Sequence, residues 1–265
     1  MIQIGELDPD TVIWRYLTLK KFVSLIELGA VWFAKLGIFE DVEEGMTPEL
    51  TRQQLKRQHR KMEEWFPDEE RKSQVRRFVE DNEQYGRDLI VASCWFIGEH
   101  ESKDMWTEYA KDGEGIVIKS TVGALTRSLV QSLKNKWWIG KVAYVDLSTH
   151  DGVNPYEGHQ AHLRAFLKGL KYSRERELRV ATMNFVAPGC LNPDGSPQNE
   201  KQRKGFIDAS NGPGIYVQAN LSTLIDEVRT APGASDSHRA TIELLTSKAG
   251  LQISIARSEL TPTTA

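Results

Sequence analysis

The sequence contains few cysteines and no long apolar segment. Its 265 residues include only Cys94 and Cys190, which are not spaced as a metal-binding pair and permit at most one disulfide. No run approaches the roughly 18 apolar residues that a membrane-spanning helix needs. The first residues, Met-Ile-Gln-Ile-Gly-Glu, lack the basic segment and apolar core of a signal peptide. We therefore expect a cytoplasmic protein that does not associate with a membrane.

The chain also lacks a charge excess and the short motifs of several enzyme classes. Its net charge is −3, from 34 lysines and arginines against 37 aspartates and glutamates, so no overall basic field favours nucleic acid. Neither GxGxxG nor GxxxxGK[ST] occurs, which leaves Rossmann and P-loop folds without support. The absence of GxSxG likewise leaves a hydrolase nucleophile elbow unsupported.

The sequence does contain short strands and helices that alternate along the chain. Residues 12–16 predict a strand, Thr18 to Gly29 a capped helix, and residues 30–34 a second strand. We predict the α+β class, with one central mixed or antiparallel sheet and flanking helices. A single domain is expected over residues 1–260, and residues 261–265 are expected to be a disordered tail.

The remaining segments fit the same architecture. Residues 47–85 carry nine basic and nine acidic residues, which predicts a helical hairpin inserted in the domain. Residues 188–213 are rich in glycine, proline and asparagine and predict a surface loop. Further strands are expected at 89–96, 115–119, 138–145, 215–217 and 251–256, and further helices from Ser102, from Thr121, at 159–170, near 221–228 and at 235–249.

The most informative segment runs from Lys168 to Arg179 and continues into an apolar stretch. As an extended strand it would place Glu175, Glu177 and Arg179 on one face, because side chains alternate along a strand. Two carboxylates on one face repel each other unless solvent, a cation or a ligand separates them. The segment therefore indicates either a functional site or an exposed strand edge with paired charges.

Two further polar residues occur on predicted strands. Arg15 stands between Trp14 and Tyr16, and a guanidinium flanked by aromatic rings suits the binding of a phosphate or carboxylate. The alternative is an arginine paired with a nearby acid. Ser93 follows an apolar run, and a polar residue there often faces a cleft. Cys94 has no flanking motif and is interpreted as a small buried residue.

Loop and helix residues provide weaker candidates. Asp41 and Glu44 suit a metal or a helix cap, although an exposed acidic loop is the favoured interpretation. Met105, Trp106 and Tyr109 fall at helical spacing, which is typical of core packing but also suits a platform that stacks on a planar ring. His159 and His162 lack a third ligand at diagnostic spacing, so no metal is expected.

Several short motifs follow one another along the chain. They are WRY (14–16), DxxEG (41–45), SCWF (93–96), MWTEYA (105–110), LKYSRERELR (170–179), GIYVQANLSTLIDEV (214–228) and ISIARSEL (253–260). Together, in this order, they resemble the bacterial domain-of-unknown-function family 2971. The resemblance covers nearly the whole chain except the charged hairpin. The chain departs from the pattern of that family at Glu40, where asparagine is usual, at Val42-Glu43, where Pro-Phe is usual, and at Tyr172, where tryptophan is common.

The layout also resembles that of ADP-ribosyltransferases, and the resemblance implies NAD as co-substrate. By this analogy Arg15 and Tyr16, on the first long strand, would hold NAD, and Ser93 would line the nicotinamide pocket. Glu177 would be the principal catalytic carboxylate, and Glu175 would orient or deprotonate the acceptor. Trp106 or Tyr109 would stack on a ring of the cofactor.

Three functions remain open at this point. The first is an NAD-using effector or toxin of anti-phage defence or a toxin–antitoxin system, with a protein or nucleic-acid acceptor. The second is a metal-dependent nuclease in which Asp41, Glu44, Glu175 and Glu177 surround Mg²⁺. The third is a non-catalytic interaction protein whose glutamates are held in salt bridges.

Overall fold

The structure of the chain is a computed structural model. The structure describes residues 1–66, 68–73, 76–77, 86–109, 114–130, 136–150, 152, 161–183 and 212–261. The predicted loop at 188–213 lies almost wholly outside these residues, as do residues 262–265 of the predicted tail. In the described part of the chain, no helix is long and apolar enough to cross a membrane.

A mixed sheet forms the centre of the molecule, as predicted. Ten of the twelve strands in the described ranges belong to it, and β7 and β8 form a separate parallel pair. Most neighbours in the large sheet are antiparallel, but β1 with β6 and β11 with β12 are parallel. The strands are β1 (Ile2–Ile4), β2 (Val12–Leu17), β3 (Ala30–Lys35), β4 (Ile90–Ile97), β5 (Ile116–Thr121), β6 (Trp137–Lys141), β7 (Ala143–Val145), β8 (Leu167–Gly169), β9 (Glu177–Met183), β10 (Gly214–Gln218), β11 (Glu227–Thr230) and β12 (Ser254–Arg257).

The sheet divides at β4. The order along the main path is β1-β6-β9-β4-β2-β5-β11-β12. On one side β4 pairs along most of its length with β9. On the other side its C-terminal half pairs with β2, through Trp14 and Phe96, and its N-terminal half pairs with β3, through Ala34 and Ala92. Because β2 and β3 pair with different halves of β4, β2 and β3 diverge from each other.

Local sequence signals explain where the helices begin and end. Thr18 accepts a hydrogen bond from the Lys21 N–H at the start of α1, and Gly29 ends that helix with a positive φ of 56°. Thr121 and Ser235 cap the starts of α4 and α6 in the same way. The helices are α1 (Leu19–Leu28), α2 (Glu49–Glu63), α3 (Lys103–Tyr109), α4 (Val122–Ser128), α5 (Leu221–Leu224) and α6 (Asp236–Lys248).

One face of the sheet carries the largest apolar core. Helices α1, α4, α5 and α6 cover this face with buried side chains such as Phe22, Leu125 and Ile242. The strands contribute alternate residues, among them Trp95 on β4 and Leu178 on β9. We call this the helical face.

The opposite face carries two smaller apolar patches instead of one continuous core. Over β2 and β4, α3 packs Met105 and Trp106 against Trp14, Tyr16 and Phe96, which we call the aromatic patch. A second patch includes Ala92 and Ala181 of the sheet beneath the turn that holds Ala165 and Phe166. The strand positions between the two patches belong to polar and charged side chains.

Three predictions of secondary structure were wrong. The helix expected at 159–170 is a 3₁₀ helix over Ala161–Phe166, followed by the short strand β8. The single strand expected at 138–145 is divided into β6 and β7. The helix expected near 221–228 stops at Leu224, and β11 follows it.

The first helix of the predicted insertion is present as α2. Much of the second lies outside the described residues, so the helical insertion stays a prediction.

Candidate functional site

A cluster of charged side chains occupies the gap between the two apolar patches. Strand β9 contributes Glu177 and Arg179, which point to the same face because they are two residues apart. Strand β8 contributes Lys168, and the loop after β3 contributes Glu44. All four are buried, with at most 5% of each residue exposed. We call these four residues, with Glu175, the charged cluster.

Ion pairs connect the members of the charged cluster. Arg179 Nε donates to Glu177 Oε2 at 2.7 Å, and Lys168 Nζ donates to Glu177 Oε1 at 2.8 Å. Arg179 Nη2 forms an ion pair with Glu44 Oε1, and Lys168 Nζ lies 3.6 Å from Glu44 Oε2. Each buried carboxylate therefore faces both cations, and the two pairs of opposite charges balance.

The two candidate carboxylates of the acidic loop are buried, contrary to the favoured interpretation of its sequence. Glu44 is 1% exposed and Asp41 is 7% exposed. Arg87 Nη2 donates to the carbonyl oxygens of Leu36 and Asp41, which fixes the loop against the sheet. Gly45 has a φ of 74°, a conformation that favours glycine, and its missing side chain leaves room for Leu36. The DxxEG motif thus positions the Glu44 carboxylate to form its ion pair with Arg179.

Glu175 joins the charged cluster from a turn, although the sequence predicted it on the strand. Residues 170–175 form a 3₁₀ helix, and β9 begins only at Glu177. Arg176 lies between them with a φ of 42°, and it is the one non-glycine residue with positive φ in the described ranges. This conformation reverses the local chain direction, so the Glu175 carboxylate reaches Lys168 Nζ at 2.6 Å.

Two adjacent carboxyl groups in the cluster hold their protons very differently. Burial and a hydrogen bond with Glu177 raise the pKa of Glu175 to about 7, although Lys168 acts in the opposite direction. Burial also opposes the charge of Glu177, but Arg179, Glu175 and Lys168 outweigh it and hold the pKa of Glu177 well below its usual range. At neutral pH Glu177 is ionised, while Glu175 exchanges its proton.

The raised pKa of Glu175 predicts that the free energy of unfolding depends on pH, and that Glu175→Gln removes this dependence. The folded state raises the pKa of Glu175 above its unfolded value of about 4.3, so its stabilising contribution is complete below about pH 4.3 and is lost as pH rises through about 7. The amide is always neutral. We therefore expect the variant to match wild type near pH 5 and to be about 1 kcal/mol more stable near pH 8, allowing for solvent screening.

Urea unfolding at several pH values measures this difference. Glu43→Gln is a matched control, because Glu43 is exposed and its ion-pair partner among the described residues is Lys171, at 4.0 Å. A difference between Glu175→Gln and wild type that stayed constant from about pH 5 to about pH 8 would contradict the assigned pKa.

Cys94 and Tyr144 lie against the charged cluster. Cys94 pairs with Arg179 across β4 and β9, so it shares the face of the cluster. Burial, followed by the charge of Glu177, raises the pKa of Cys94, and the thiol stays neutral and weakly nucleophilic. The Tyr144 hydroxyl accepts a hydrogen bond from the Glu177 N–H at 2.8 Å. Burial raises the pKa of Tyr144, which keeps its hydroxyl protonated.

An open pocket of about 260 Å³ lies beside Glu177. It gives solvent and small molecules access to the edge of the charged cluster. Its volume is smaller than that of most sites that enclose a whole drug-sized ligand, so it suits a part of a larger substrate. The lining residues are Ile97, Lys141, Val142, Tyr144, Arg176 and Glu177.

Arg15 and Ser93 occur together, but on the helical face. Arg15 Nη1 donates to Ser93 Oγ and Nη2 donates to the carbonyl oxygen of Trp32, both at 2.8 Å. The guanidinium also lies 5.5 Å from the centre of the Trp95 ring. It thus fills the space where β2 and β3 separate. Burial lowers the pKa of Arg15 to about 10, which leaves it cationic at neutral pH.

The structure does not bring Arg15 and Glu177 into one pocket. Ser93 pairs with Val180 across β4 and β9, whereas its neighbour Cys94 pairs with Arg179. Successive side chains point to opposite faces of a sheet, so Ser93 and the charged cluster are on different sides. The functions assigned to Arg15 and Ser93 stay predictions, but the two residues are separated from Glu177 by the sheet.

Tyr16 and Trp106 pack together in the aromatic patch. Their rings meet edge to face with centres 5.0 Å apart. The Tyr16 hydroxyl accepts a hydrogen bond from the Ser102 N–H, and the Trp106 indole donates to Glu101. Both side chains are at least 90% buried, which agrees with the core-packing interpretation of the helical spacing. The side chain of Tyr109 lies outside the described part of the structure.

Lys168 and Tyr144 were not identified from sequence as site residues, whereas Glu44 was grouped with Glu175 and Glu177 in the metal-site hypothesis alone. Lys168 stands in the charged segment, but the expected helix gave it no defined direction relative to Glu177. Tyr144 had no recognisable motif. The one available signal for Glu44 was the DxxEG motif, which contributes to the family resemblance. The structure shows that this motif and the LKYSRERELR segment contact each other.

The charged cluster is poorly suited to bind a metal ion. Lys168 and Arg179 occupy the space between Glu44 and Glu177. Within the described ranges, no group of three or more histidine, cysteine, aspartate or glutamate side chains is placed to hold a metal. His162 stacks on Trp138 with ring centres 4.1 Å apart. The arrangement instead suits proton transfer by Glu175 next to a fixed negative charge on Glu177.

The sequence matches no family model, and a search of curated proteins finds no match. The resemblance to family 2971 and to the ADP-ribosyltransferase layout is therefore carried only by the motifs and their order. Function has to be argued from the site.

Proposed function

We propose that the protein is a cytoplasmic enzyme that cleaves the nicotinamide–ribose bond of NAD. The C–N bond breaks and nicotinamide leaves with the bonding electrons. A new bond forms from the ribose carbon to an oxygen or nitrogen of a protein or nucleic-acid acceptor, or to water. The acceptor loses its proton to Glu175. The proposal is supported by the ionised Glu177 carboxylate, which lines the open pocket, and by Glu175, which shares Lys168 with it. The resemblance in layout supports it at the strand of the glutamates alone, because Arg15 and Ser93 lie on the other face of the sheet.

Each glutamate has a distinct function in this proposal. Bond cleavage gives the ribose oxocarbenium character, as in glycoside hydrolysis, and a nearby ionised carboxylate stabilises that positive charge. Glu177 provides this carboxylate because Arg179 and Lys168 keep it ionised. Glu175 acts as the general base, since its pKa of about 7 suits proton exchange at neutral pH.

Consumption of NAD by the purified protein tests the proposal, with a cell extract as the source of acceptors. We expect Glu175→Gln to lower the rate about a hundredfold, and the wild-type rate to rise with pH through about 7 as Glu175 loses its proton. Glu43→Gln is the control and should retain the wild-type rate. Equal rates for wild type and Glu175→Gln, or no NAD consumption by wild type, would sink the proposal.

The cellular context we propose is a toxin or anti-phage effector. In cells, induced wild type is then expected to lower the NAD level and arrest growth, whereas Glu175→Gln does neither. Growth arrest without loss of NAD would separate toxicity from NAD chemistry and reject this mechanism.

A non-catalytic interaction protein is the second candidate, and one observation favours it. Both Glu177 oxygens already accept hydrogen bonds from Lys168 and Arg179, which leaves the carboxylate less available to a substrate. On this alternative, Glu175→Gln changes the pH dependence of stability and has no enzymatic phenotype. Stability and NAD measurements on the same variant therefore distinguish the two candidates.

A further inference from the structure

Two cationic side chains lie at the rim of the pocket beside Glu177. Lys141 and Arg176 line the pocket and are both exposed. In the described ranges neither forms an ion pair, whereas Lys168 and Arg179 contact several carboxylates within the cluster. An anion that entered the pocket would meet two positive charges that no carboxylate of the described residues pairs with.

The backbone holds Arg176 at the pocket despite an unfavourable conformation. Its φ of 42° is in the left-handed region, where residues with a side chain are disfavoured relative to glycine. The turn also places the guanidinium 5.6 Å from the centre of the Phe96 ring, which restricts the direction of the side chain. A glycine would form this turn more easily, so the presence of arginine indicates a use for its side chain.

Tyr144 adds a neutral donor to the same pocket. Its oxygen accepts from the Glu177 N–H, so its own proton is free to be donated. That proton has no acceptor among the residues that the structure describes. The negative charge of Glu177 does not repel an incoming anion strongly, because Arg179 and Lys168 balance it. Ile97 and Val142 provide an apolar wall.

We infer that this pocket binds the phosphate group of a small phosphate ester, with Arg176 and Lys141 on the phosphate oxygens and Tyr144 as an additional donor. The volume of about 260 Å³ suits a phosphate with its attached sugar better than a complete dinucleotide. The assignment of this phosphate to the substrate rests on the proposed function, in which the ribose has to lie beside Glu177.

Calorimetric titration with ribose 5-phosphate, and with ribose as the uncharged control, tests the inference. We expect wild type to bind the phosphate ester and not ribose. Arg176→Gly should weaken binding about tenfold through loss of charge-assisted hydrogen bonds, and should leave the unfolding temperature unchanged or higher because glycine accepts the positive φ. Lys141→Gln should also weaken binding. Arg174→Gln, an exposed arginine that does not line the pocket, should bind as wild type does.

Three results would overturn the inference. They are no binding to wild type, equal binding by wild type and Arg176→Gly, and tighter binding of a single-stranded oligonucleotide than of ribose 5-phosphate. Failure of the proposed NAD chemistry can be distinguished from failure of the phosphate site. Glu175→Gln should still bind ribose 5-phosphate, so Arg176-dependent binding without NAD consumption rejects NAD chemistry and retains the phosphate site. NAD consumption by a wild type that does not bind ribose 5-phosphate rejects the phosphate site and retains NAD chemistry.

Discussion

Replacement of Arg179 by methionine is expected to lower the free energy of unfolding by about 3–5 kcal/mol. Arg179 is completely buried, and its guanidinium contacts both Glu177 and Glu44. Its Nη1 also donates to the carbonyl oxygen of Ala165 at 2.8 Å, which connects the sheet to the turn above it. Methionine fills a similar space, but among the described residues it leaves Glu44 and Glu177 with Lys168 as their one counter-charge.

Urea unfolding measures this loss against a matched control. Arg239→Met removes an exposed arginine that pairs with Glu243 one helical turn away, and such a pair contributes about 0.3–0.5 kcal/mol. The triple variant Arg179→Met, Glu177→Gln, Glu44→Gln removes the unbalanced carboxylates and should recover part of the loss. A loss below about 1 kcal/mol in the single variant would show that water reaches the cluster and that its charges are not interdependent.

These energies bear on why the chain retains a charged cluster between two apolar patches. A buried network of ion pairs is rarely more stable than apolar side chains of the same volume. Apolar residues at positions 177 and 179 would join the two patches into one continuous core. A site whose charges cost stability and shift the pKa of Glu175 is more easily explained by chemistry than by folding. The charged cluster is therefore better accounted for by the proposed enzyme than by an interaction protein.

Much of the fold was predictable because its signals are local. Thr18 and Gly29 mark the ends of α1 through hydrogen bonding and a positive φ, and both depend only on neighbouring residues. The strong apolar run before Cys94 gave β4, the strand at which the sheet divides. The α+β class with a mixed central sheet followed from this alternation of strands and helices.

The arrangement of the site was less predictable because it depends on contacts distant in sequence. Glu44 and Arg179 are 135 residues apart, and no local pattern shows that they form an ion pair. Alternation along β2 shows that Arg15 and Tyr16 point to opposite faces of the sheet. Which of the two faces also holds Glu177 depends on how β2 pairs with β4, and a single sequence does not show that pairing. The strand pattern also failed at Glu175, because the left-handed conformation of Arg176 breaks the alternation.

The second large effect is expected at Glu101, outside the candidate site. Glu101→Ala should lower the free energy of unfolding by about 3–4 kcal/mol, since several donors lose a buried acceptor. The Glu101 carboxylate accepts from the Trp106 indole at 2.8 Å, from Arg229 at 2.8 Å, from the Ser258 hydroxyl at 2.6 Å and from the Glu259 N–H at 3.0 Å. It therefore joins α3, β11 and the segment after β12.

The pH dependence of unfolding gives this prediction a second readout. Burial opposes the charge of Glu101, but the hydrogen bonds from Ser258, Glu259 and Arg229 outweigh it and lower the pKa of Glu101 below its ordinary value. Its contribution is therefore present above the unfolded pKa of about 4.3 and is lost as pH falls below that value. Glu101→Ala should show a smaller loss of stability between about pH 5 and about pH 3 than wild type.

Glu99→Ala is the matched control for Glu101, because Glu99 is an exposed carboxylate two residues away in the same connection between β4 and α3. It should change stability by less than about 0.5 kcal/mol. The free energy of unfolding of Glu101→Gln should lie between those of Glu99→Ala and Glu101→Ala. The amide oxygen still accepts hydrogen bonds from the Trp106 indole and the Ser258 hydroxyl, but the amide lacks the charge that pairs with Arg229. If Glu101→Ala were as stable as Glu99→Ala, the connection from α3 to the segment after β12 would contribute nothing to the fold.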